Sequence, residues 1–417
     1  MNRLPNLSIL GLGYVGLPLA IALGKTFPVT GFDCDDVRVT ELRRGHDRTN
    51  EFSKSTLAKA NIHFTNVESD LISTDIFIVA VPTPVDDQNQ PELDHLKTAA
   101  ESVGRVLQKG AIVVFESTVY PGATEALCGP ILEEVSGLIC GVDFFLGYSP
   151  ERINPGDRVH TIDKIVKIVA GQTPDVAKYL ARIYGTINDN QIFVAKNIKT
   201  AEAAKVIENA QRDINIAFMN EIAQIFHPLD LSIFDVLDAA KTKWNFLPFS
   251  PGLVGGHCIG VDPYYLAHSA KKVGIDPKMV LSGRATNNGM ASYVAKQISD
   301  QLASKSRILV LGLTFKEDVP DLRNSKVSDI VTMLSNLGHI VKVHDPLADP
   351  EEAFLLYKIN LVEEFMQNFD CVLGCVMHRE YFAFDFSKVL RKDGLIADLK
   401  GIWRTNIDQT IYRYWTL

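Results

Sequence analysis

The run Gly11-Leu12-Gly13-Tyr14-Val15-Gly16 constrains this chain more than any other feature. It follows a strand-like segment, Leu7 to Leu10, and opens an apolar helix carrying Leu17, Leu19, Ala20, Ile21 and Leu23. In that setting each glycine has a steric task. Gly11 permits the tight turn, Gly13 lets a pyrophosphate approach the backbone, and Gly16 lets helix and strand pack closely. The helix amino end then offers N–H groups and a positive dipole to phosphates. Asp33 ends the next strand 22 positions after Gly11, the spacing of a carboxylate that accepts hydrogen bonds from a ribose hydroxyl. A carboxylate there repels a 2′-phosphate, which favours NAD over NADP. The bland alternative is a glycine turn followed by an ordinary strand-terminal Asp. Arg38 can stack near the adenine or be a solvated helix residue.

The chain has 417 residues, which at roughly 150 residues per domain suggests two or three domains. From Leu7 to about Val194, β-rich runs alternate with helical patterns, as in βαβ units. The runs are Leu7 to Leu10, Val29 to Phe32, Ile76 to Val81, Ala111 to Glu116 and Phe144 to Gly147. Between Lys199 and Leu237 the pattern becomes one long helical stretch, with Ala203, Val206, Ile207, Ala210, Ile214, Ala217, Phe218, Ile222 and Ile225 at three- and four-residue steps. A helix of roughly 30 residues is about 45 Å long, enough to join two domains and still offer a face to a second subunit. Pro228 is expected to kink or end it. From Ile308 to Leu313 the opening strand and turn return, and Ile340 to Asp345 echoes Val29 to Asp33. That echo lacks a complete glycine fingerprint, so a different ligand or a purely structural sheet is expected there rather than a second cofactor. The expected fold is α/β: two Rossmann-like doubly wound domains joined by a long central helix and a small helical domain. The divisions are 1–196, 197–300 and 301–417.

Composition excludes several classes. With 46% hydrophobic and 22% charged residues, a disordered, collagen-like or disulfide-stapled chain is ruled out. The net charge of −8 provides no overall field for nucleic acid or an anionic membrane, so an anionic ligand needs a local cluster of positive groups. Six cysteines without Cys-x2-Cys pairs fit a reducing cytoplasm and give no metal ligand set. No signal-peptide core and no run of about 18 apolar residues is present, so neither secretion nor membrane spanning is expected.

A second dense constellation is Gly255-Gly256-His257-Cys258-Ile259-Gly260-Val261-Asp262. The glycines give a substrate access to the sulfur, and a thiolate is a strong nucleophile when its surroundings lower its pKa. Taken alone, a cysteine in such a loop is more often inert. His257 reads as a surface or packing residue rather than a metal ligand. On the long helix Lys205 and Asn209 share a face, loosely joined by Arg212. An ammonium and a carboxamide there can stabilise an oxyanion, or the strip can be a solvated face. Two further strand-end loops, Glu116 to Gly122 and Tyr148 to Arg152, point to the same end of the sheet. Thr118 can orient a water and Glu151 can accept its proton, although Thr turns and surface Glu residues are common.

The ordered blocks Gly-Leu-Gly-Tyr-Val-Gly-Leu-Pro (11–18), Val-Pro-Thr-Pro (81–84), Ser-Thr-Val (117–119), Ser-Pro-Glu-Arg (149–152), Lys205 to Glu221, Gly-Gly-His-Cys (255–258) and Phe-Lys (315–316) leading to Asp-x-Arg (321–323) span nearly the whole chain. On these blocks it resembles the UDP-glucose/GDP-mannose dehydrogenase family. The resemblance implies oxidation of a nucleotide-sugar C6 alcohol to a carboxylate with two NAD in succession. It implies that Cys258 attacks the aldehyde to give a thiohemiacetal and then a thioester. Lys205 and Asn209 are implied to stabilise oxyanions, Asp262 and Thr118 to position water and handle protons, and Glu151 to act as general base in hydrolysis. NAD is implied to lie against Gly11, Gly13, Tyr14, Val15, Gly16, Asp33, Arg38, Pro82, Thr83, Ser117 and Thr118. The UDP-sugar is implied to meet Glu151, Arg152, Lys205, Asn209, Arg212, Phe249, Gly255, Lys316, Arg323 and Lys400. A homodimer through the central helix is implied, with the loop from Trp244 to Gly252 completing a neighbour's site.

The stretches Trp244 to Phe249 and Asp262 to Leu266 look like the bacterial UDP-N-acetylhexosamine 6-dehydrogenases of Vi-type or O-antigen polysaccharide synthesis. Their products are the uronates of UDP-N-acetylglucosamine or UDP-N-acetylgalactosamine. Two positions depart from the family pattern: Gly260 and Tyr120 each stand where proline is frequent. The alternatives are a UDP-glucose 6-dehydrogenase, a two-electron 3-hydroxy acid dehydrogenase, which leaves Cys258 and the last hundred or so residues without a role, and a nucleotide-sensing module without turnover.

Overall fold

The computed structural model describes residues 3–49, 51–153, 159–256, 258–363 and 368–417. They form two compact units, one of residues 1–208 and 264–275, the other of residues 209–263 and 276–417.

The first unit is built on an eight-stranded sheet. In chain order its strands are β1 (Leu7–Leu10), β2 (Val29–Phe32), β3 (Ile62–Thr65), β4 (Ile76–Val79), β5 (Ile112–Phe115), β6 (Phe145–Tyr148), β7 (Lys167–Gly171) and β8 (Ile192–Val194). They are arranged β3-β2-β1-β4-β5-β6-β7-β8. Every pairing is parallel except β6 with β7. Strands β1, β4 and β5 are buried along their whole length, which is why they read as unbroken apolar runs rather than alternating ones. The order reverses between β1 and β4, the switch point at whose carboxyl edge open α/β sheets bind ligands. Helices begin where side chains replace the missing N–H acceptors: Asp35 accepts from Val37 and Arg38, and Thr173 accepts from Val176.

The second unit has a five-stranded parallel sheet, ordered β10-β9-β11-β12-β13. Its strands are β9 (Arg307–Leu311), β10 (Ile340–His344), β11 (Phe369–Gly374), β12 (Leu390–Asp398) and β13 (Arg413–Thr416). On one side it packs on a core containing Met290, Val294, Ile298, Ile308, Val310, Leu322 and Ile330. A second cluster holds Leu309, Leu311, Tyr381 and Trp403. The predicted echo of the first sheet is therefore real, down to Gly312, which has a φ of 87° where Gly11 has 89°.

The stretch expected as one helix from Lys199 to Leu237 is two. The central helix runs Ile198–Phe226, a tight turn covers His227–Leu229, and a second helix runs Ile233–Ala240. Pro228 has no N–H to continue the ladder, and Asp230 takes a left-handed φ of 56°. Among the described residues no helix is long and apolar enough to cross a membrane.

Candidate active site

In the first unit the glycine turn is held from several sides. Gly11 N donates to Phe32 O at 2.9 Å, and Leu12 N donates to Asp33 Oδ2 at 2.8 Å. A Cβ on Gly16 would lie 1.8 Å from Gly11 O, whereas one on Gly13 would meet nothing within 4 Å. Gly16 is thus glycine for internal packing, and Gly13 leaves bare backbone at the mouth of the helix that begins at Gly16. That opening, with the Asp33 carboxylate beside it, fits the pyrophosphate and ribose of NAD. Arg38 is not the solvated helix residue considered above. It is 4% exposed, donates Nε to Leu12 O at 2.9 Å and pairs with Asp47 at 2.9 Å. Its guanidinium ties the glycine turn to Asp47.

The neighbouring strand-end loops are tied together. Ser117 Oγ donates to Val81 O at 2.6 Å and Tyr148 donates its hydroxyl to Ser117 O at 3.2 Å. Tyr265 donates to Thr83 O and Pro84 O, so Pro82 and Thr83 stand on a fixed turn. Thr118 is half-buried. Glu202, buried on the central helix, accepts from Thr124 N at 2.9 Å and from Gly122 N, which anchors the loop carrying Thr118. Burial raises the Glu202 carboxyl above its usual range, against the hydrogen bonds it receives. Tyr120, one of the two departures, stacks on this unit's own surface, with Lys272 Nζ 3.9 Å from its ring centroid and His268 at 5.1 Å. Arg152 pairs with Glu208 at 2.8 Å and donates to Val166 O. Glu151 is buried, and its Oε1 accepts the N–H groups of Arg152 and Ile153, both at 2.5 Å.

In the second unit Asp262, 1% exposed, accepts from Asn209 Nδ2 at 2.6 Å and donates its N–H to Cys258 O at 2.9 Å. The turn bearing the half-buried Cys258 is therefore coupled to the helix residue Asn209. Gly255 and Gly256 pack tightly on the segment around Phe315 and Asn324: a Cβ on Gly255 would lie 2.7 Å from Asn324 O, and one on Gly256 2.8 Å from Phe315. Asn324 Nδ2 donates to Gly256 O at 2.7 Å. His257 lies outside the described residues. Gly260 is buried, with Asn324, Gly256 O and Arg284 all between 3.7 and 3.9 Å from where its Cβ would stand.

The central helix corrects the expected polar strip. Lys205 and Asn209 are buried, but Arg212 is exposed, and the next buried polar position is Asp213. Its carboxylate accepts from Arg284 at 2.5 Å and from Asn287 at 2.7 Å. Asn220 extends this network to both polar atoms of the Gly252 backbone. Nor are the expected cations isolated. Arg323 makes a two-point contact with Asp321 at 2.7 and 3.0 Å, and Lys400 pairs with Glu317 at 3.0 Å. Lys316 is half-buried beside Thr314, and Phe249 is half-buried against the second unit's core. Sequence reasoning missed Glu202, Asp213, Arg284, Lys167 and Tyr184. The available signal was a charged residue within an apolar pattern, as in Val166-Lys167-Ile168-Val169.

Comparison with known proteins gives the family. Models of the UDP-glucose/GDP-mannose dehydrogenase family match residues 5–188 as the NAD binding domain, 199–289 as the central domain and 309–405 as the UDP binding domain. The chain belongs to this family. As a UDP-glucose/GDP-mannose dehydrogenase family member it is an oxidoreductase, an NAD-dependent UDP-sugar dehydrogenase. It is 48% identical to Protein CapL of Staphylococcus aureus, over 99% of this chain and 100% of that one. It is also 48% identical to the UDP-N-acetyl-D-glucosamine 6-dehydrogenase of Pseudomonas aeruginosa, over 94% and 96% of the two chains. The solved UDP-D-ManNAc dehydrogenase of Pyrococcus horikoshii superposes with a TM-score of 0.89 at 29% identity over 98% of both chains.

Proposed function

We propose that this dehydrogenase oxidises the C6 alcohol of a UDP-N-acetylhexosamine, UDP-N-acetylglucosamine or UDP-N-acetylgalactosamine, to the uronate, in the cytoplasm, as a precursor for surface polysaccharide. The similarity to a UDP-N-acetyl-D-glucosamine 6-dehydrogenase supports the sugar class. The observation that carries the chemistry is Asp262, which joins Asn209 to the Cys258 turn by bonds of 2.6 and 2.9 Å.

When bound, NAD accepts hydride from C6 once in each of the two oxidation steps, and the hydroxyl proton released in the first passes to water positioned by Asp262 and Thr118. After the first, the Cys258 thiolate adds to the aldehyde carbon and forms a C–S bond, giving a thiohemiacetal. Lys205 and Asn209 stabilise the oxyanion. Loss of the second hydride leaves a thioester, which retains the sugar until hydrolysis. A water held by Thr118 then adds to the carbonyl carbon, Glu151 takes its proton, and the C–S bond breaks to release uronate and restore the thiolate. Arg152, Arg212, Phe249, Gly255, Lys316, Arg323 and Lys400 orient the UDP-sugar, and Tyr14, Val15, Pro82, Thr83 and Ser117 orient NAD.

A homodimer through the central helix completes this reading. Ile207, Phe218 and Ile225 are about half exposed at 53%, 56% and 46%, and three- and four-residue steps through Gln211, Ile214 and Glu221 place them on one stripe.

The test supplies NAD with UDP-glucose, UDP-N-acetylglucosamine and UDP-N-acetylgalactosamine side by side. Two NADH per sugar are expected with an N-acetylated substrate, and Cys258→Ser is expected to bind NAD but make no uronate. One NADH with free aldehyde, or turnover of UDP-glucose alone, overturns the reading.

A further inference from the structure

Beneath the turn that carries Glu151, the first unit buries ionisable groups that the mechanism above leaves unused. Glu116 directly follows β5 and Lys167 opens β7, 51 residues later. Lys167 Nζ lies 2.6 Å from Glu116 Oε2, with side chains 3% and 0% exposed. The same ammonium lies 3.6 Å from Glu151 Oε2 and donates to Pro150 O at 3.3 Å. The Tyr184 hydroxyl is sealed beside Glu116 in the same buried cluster. Lys167 Nζ stands 5.5 Å from the Tyr184 ring centroid.

A buried ion pair adds little to stability, because desolvation of both charges offsets their attraction. Here one ammonium serves two carboxylates, leaving surplus negative charge where the dielectric is low. Burial, aided by the Glu151 charge and opposed by Lys167, pushes the Glu116 carboxyl up to about 7. A sheet of this kind has no packing need for that cluster. What it does accomplish is to clamp Glu151: main-chain N–H groups hold Oε1 and the Lys167 ammonium draws Oε2.

We propose that Lys167, anchored by Glu116, is a positioning residue for Glu151, and that the charge on Glu116 sets how strong a base Glu151 is. With Glu116 ionised, the ammonium is divided between two carboxylates and acts less on Glu151. With Glu116 protonated, the ammonium acts on Glu151 alone and weakens it as a base. The groups facing Glu116 are Lys167, Glu151 and Tyr184; Arg152, next to Glu151, is neutralised by Glu208. The consequence for turnover rests on the reading of Glu151 as the base that takes a proton from the hydrolytic water.

The test has two arms. In the first, carbon-13 NMR of glutamate-labelled protein without sugar follows the Glu151 carboxyl against pH. Glu116→Gln is expected to move its titration to lower pH, by about one unit. An unmoved titration in a folded Glu116→Gln protein overturns the proposal, whatever the protein does with sugar. The second arm measures thioester hydrolysis in single turnover. Glu116→Gln is expected to slow it by about tenfold above neutral pH and to remove its rise across about pH 7 while sparing the NADH burst. Lys167→Met is expected to abolish hydrolysis and Lys167→Arg to recover part of it. A shifted titration with unchanged hydrolysis keeps the positioning role and overturns Glu151 as the base. An equal fall of every step without a change in pH profile overturns the positioning role.

Discussion

Asn209 donates its carboxamide to the buried carboxylate of Asp262 across 2.6 Å, although 53 residues separate them. The bond joins a helix position to the first residue of the helix Asp262–Lys272, next to the Cys258 turn. Asn209→Ala leaves a buried carboxylate short of a donor, a loss of about 1–3 kcal/mol. Denaturant melts are expected to show it, together with a larger loss of uronate formation than of NAD affinity. Equal loss of both would remove Asn209 from the chemistry.

Two glycines of one turn are expected to respond differently. Gly16→Ala places a methyl 1.8 Å from Gly11 O, so the turn must open and both stability and NAD affinity fall. Gly13→Ala meets no atom within 4 Å, so its melting should stay within about 0.5 kcal/mol of the parent. On the proposed NAD site the methyl would stand in the path of the pyrophosphate, and calorimetric titration is expected to show NAD binding weakened at least tenfold.

Glu202→Ala removes the acceptor for Gly122 N and Thr124 N. Unsatisfied buried donors cost about 1–3 kcal/mol each. A lowered melting temperature is expected, with faster hydrogen exchange across the loop that carries Thr118; exchange confined to other segments would contradict the anchoring role.

Asp345 is the second unit's counterpart of Asp33. It opposes the cost of burial by accepting from His378 Nε2 at 3.0 Å, from Leu313 N and Thr314 N, and from Leu347 N and Ala348 N. Its carboxyl is lowered from 3.8 to about 2. Because the folded value lies below the unfolded one, the stability it contributes is present above pH 4 or so and is lost as pH falls through about 2. The shift is worth about 2 kcal/mol. Urea melts at pH 7 and pH 3 should therefore differ less in Asp345→Asn than in the parent protein.

Phe218→Glu puts a charge on the exposed stripe of the central helix without opening the core. Sedimentation is expected to show dissociation to monomers, with monomer stability changed by no more than about 0.5 kcal/mol. A species of unchanged mass would place the subunit contact elsewhere.

Legibility followed the range of the forces involved. Strands β1 and β2 were readable to the residue because a glycine turn and a strand-terminal acid delimit them. Strand β3, with His63 exposed at the sheet's edge, and the three-residue β8 lacked a sufficient apolar run. Strands β9 and β10 were found by their echo of the first sheet, whereas β11 to β13 had none. Cys258, Asp262, Lys205 and Asn209 were legible as residue types in a spacing, but their partners were not.

The sequence alone determined what depends on neighbours a few bonds away: the glycine turn, the Asp33 spacing, the helix stop at Pro228 and the order of the blocks. Tertiary structure alone decided which charges are sealed and paired. Arg38 left solvent for Leu12 O and Asp47, Arg323 folded onto Asp321, and Lys167 met Glu116 and Glu151. The reason is that the energy of a charge depends on the water removed from around it and on partners brought from distant strands, and neither quantity is written in local residue order.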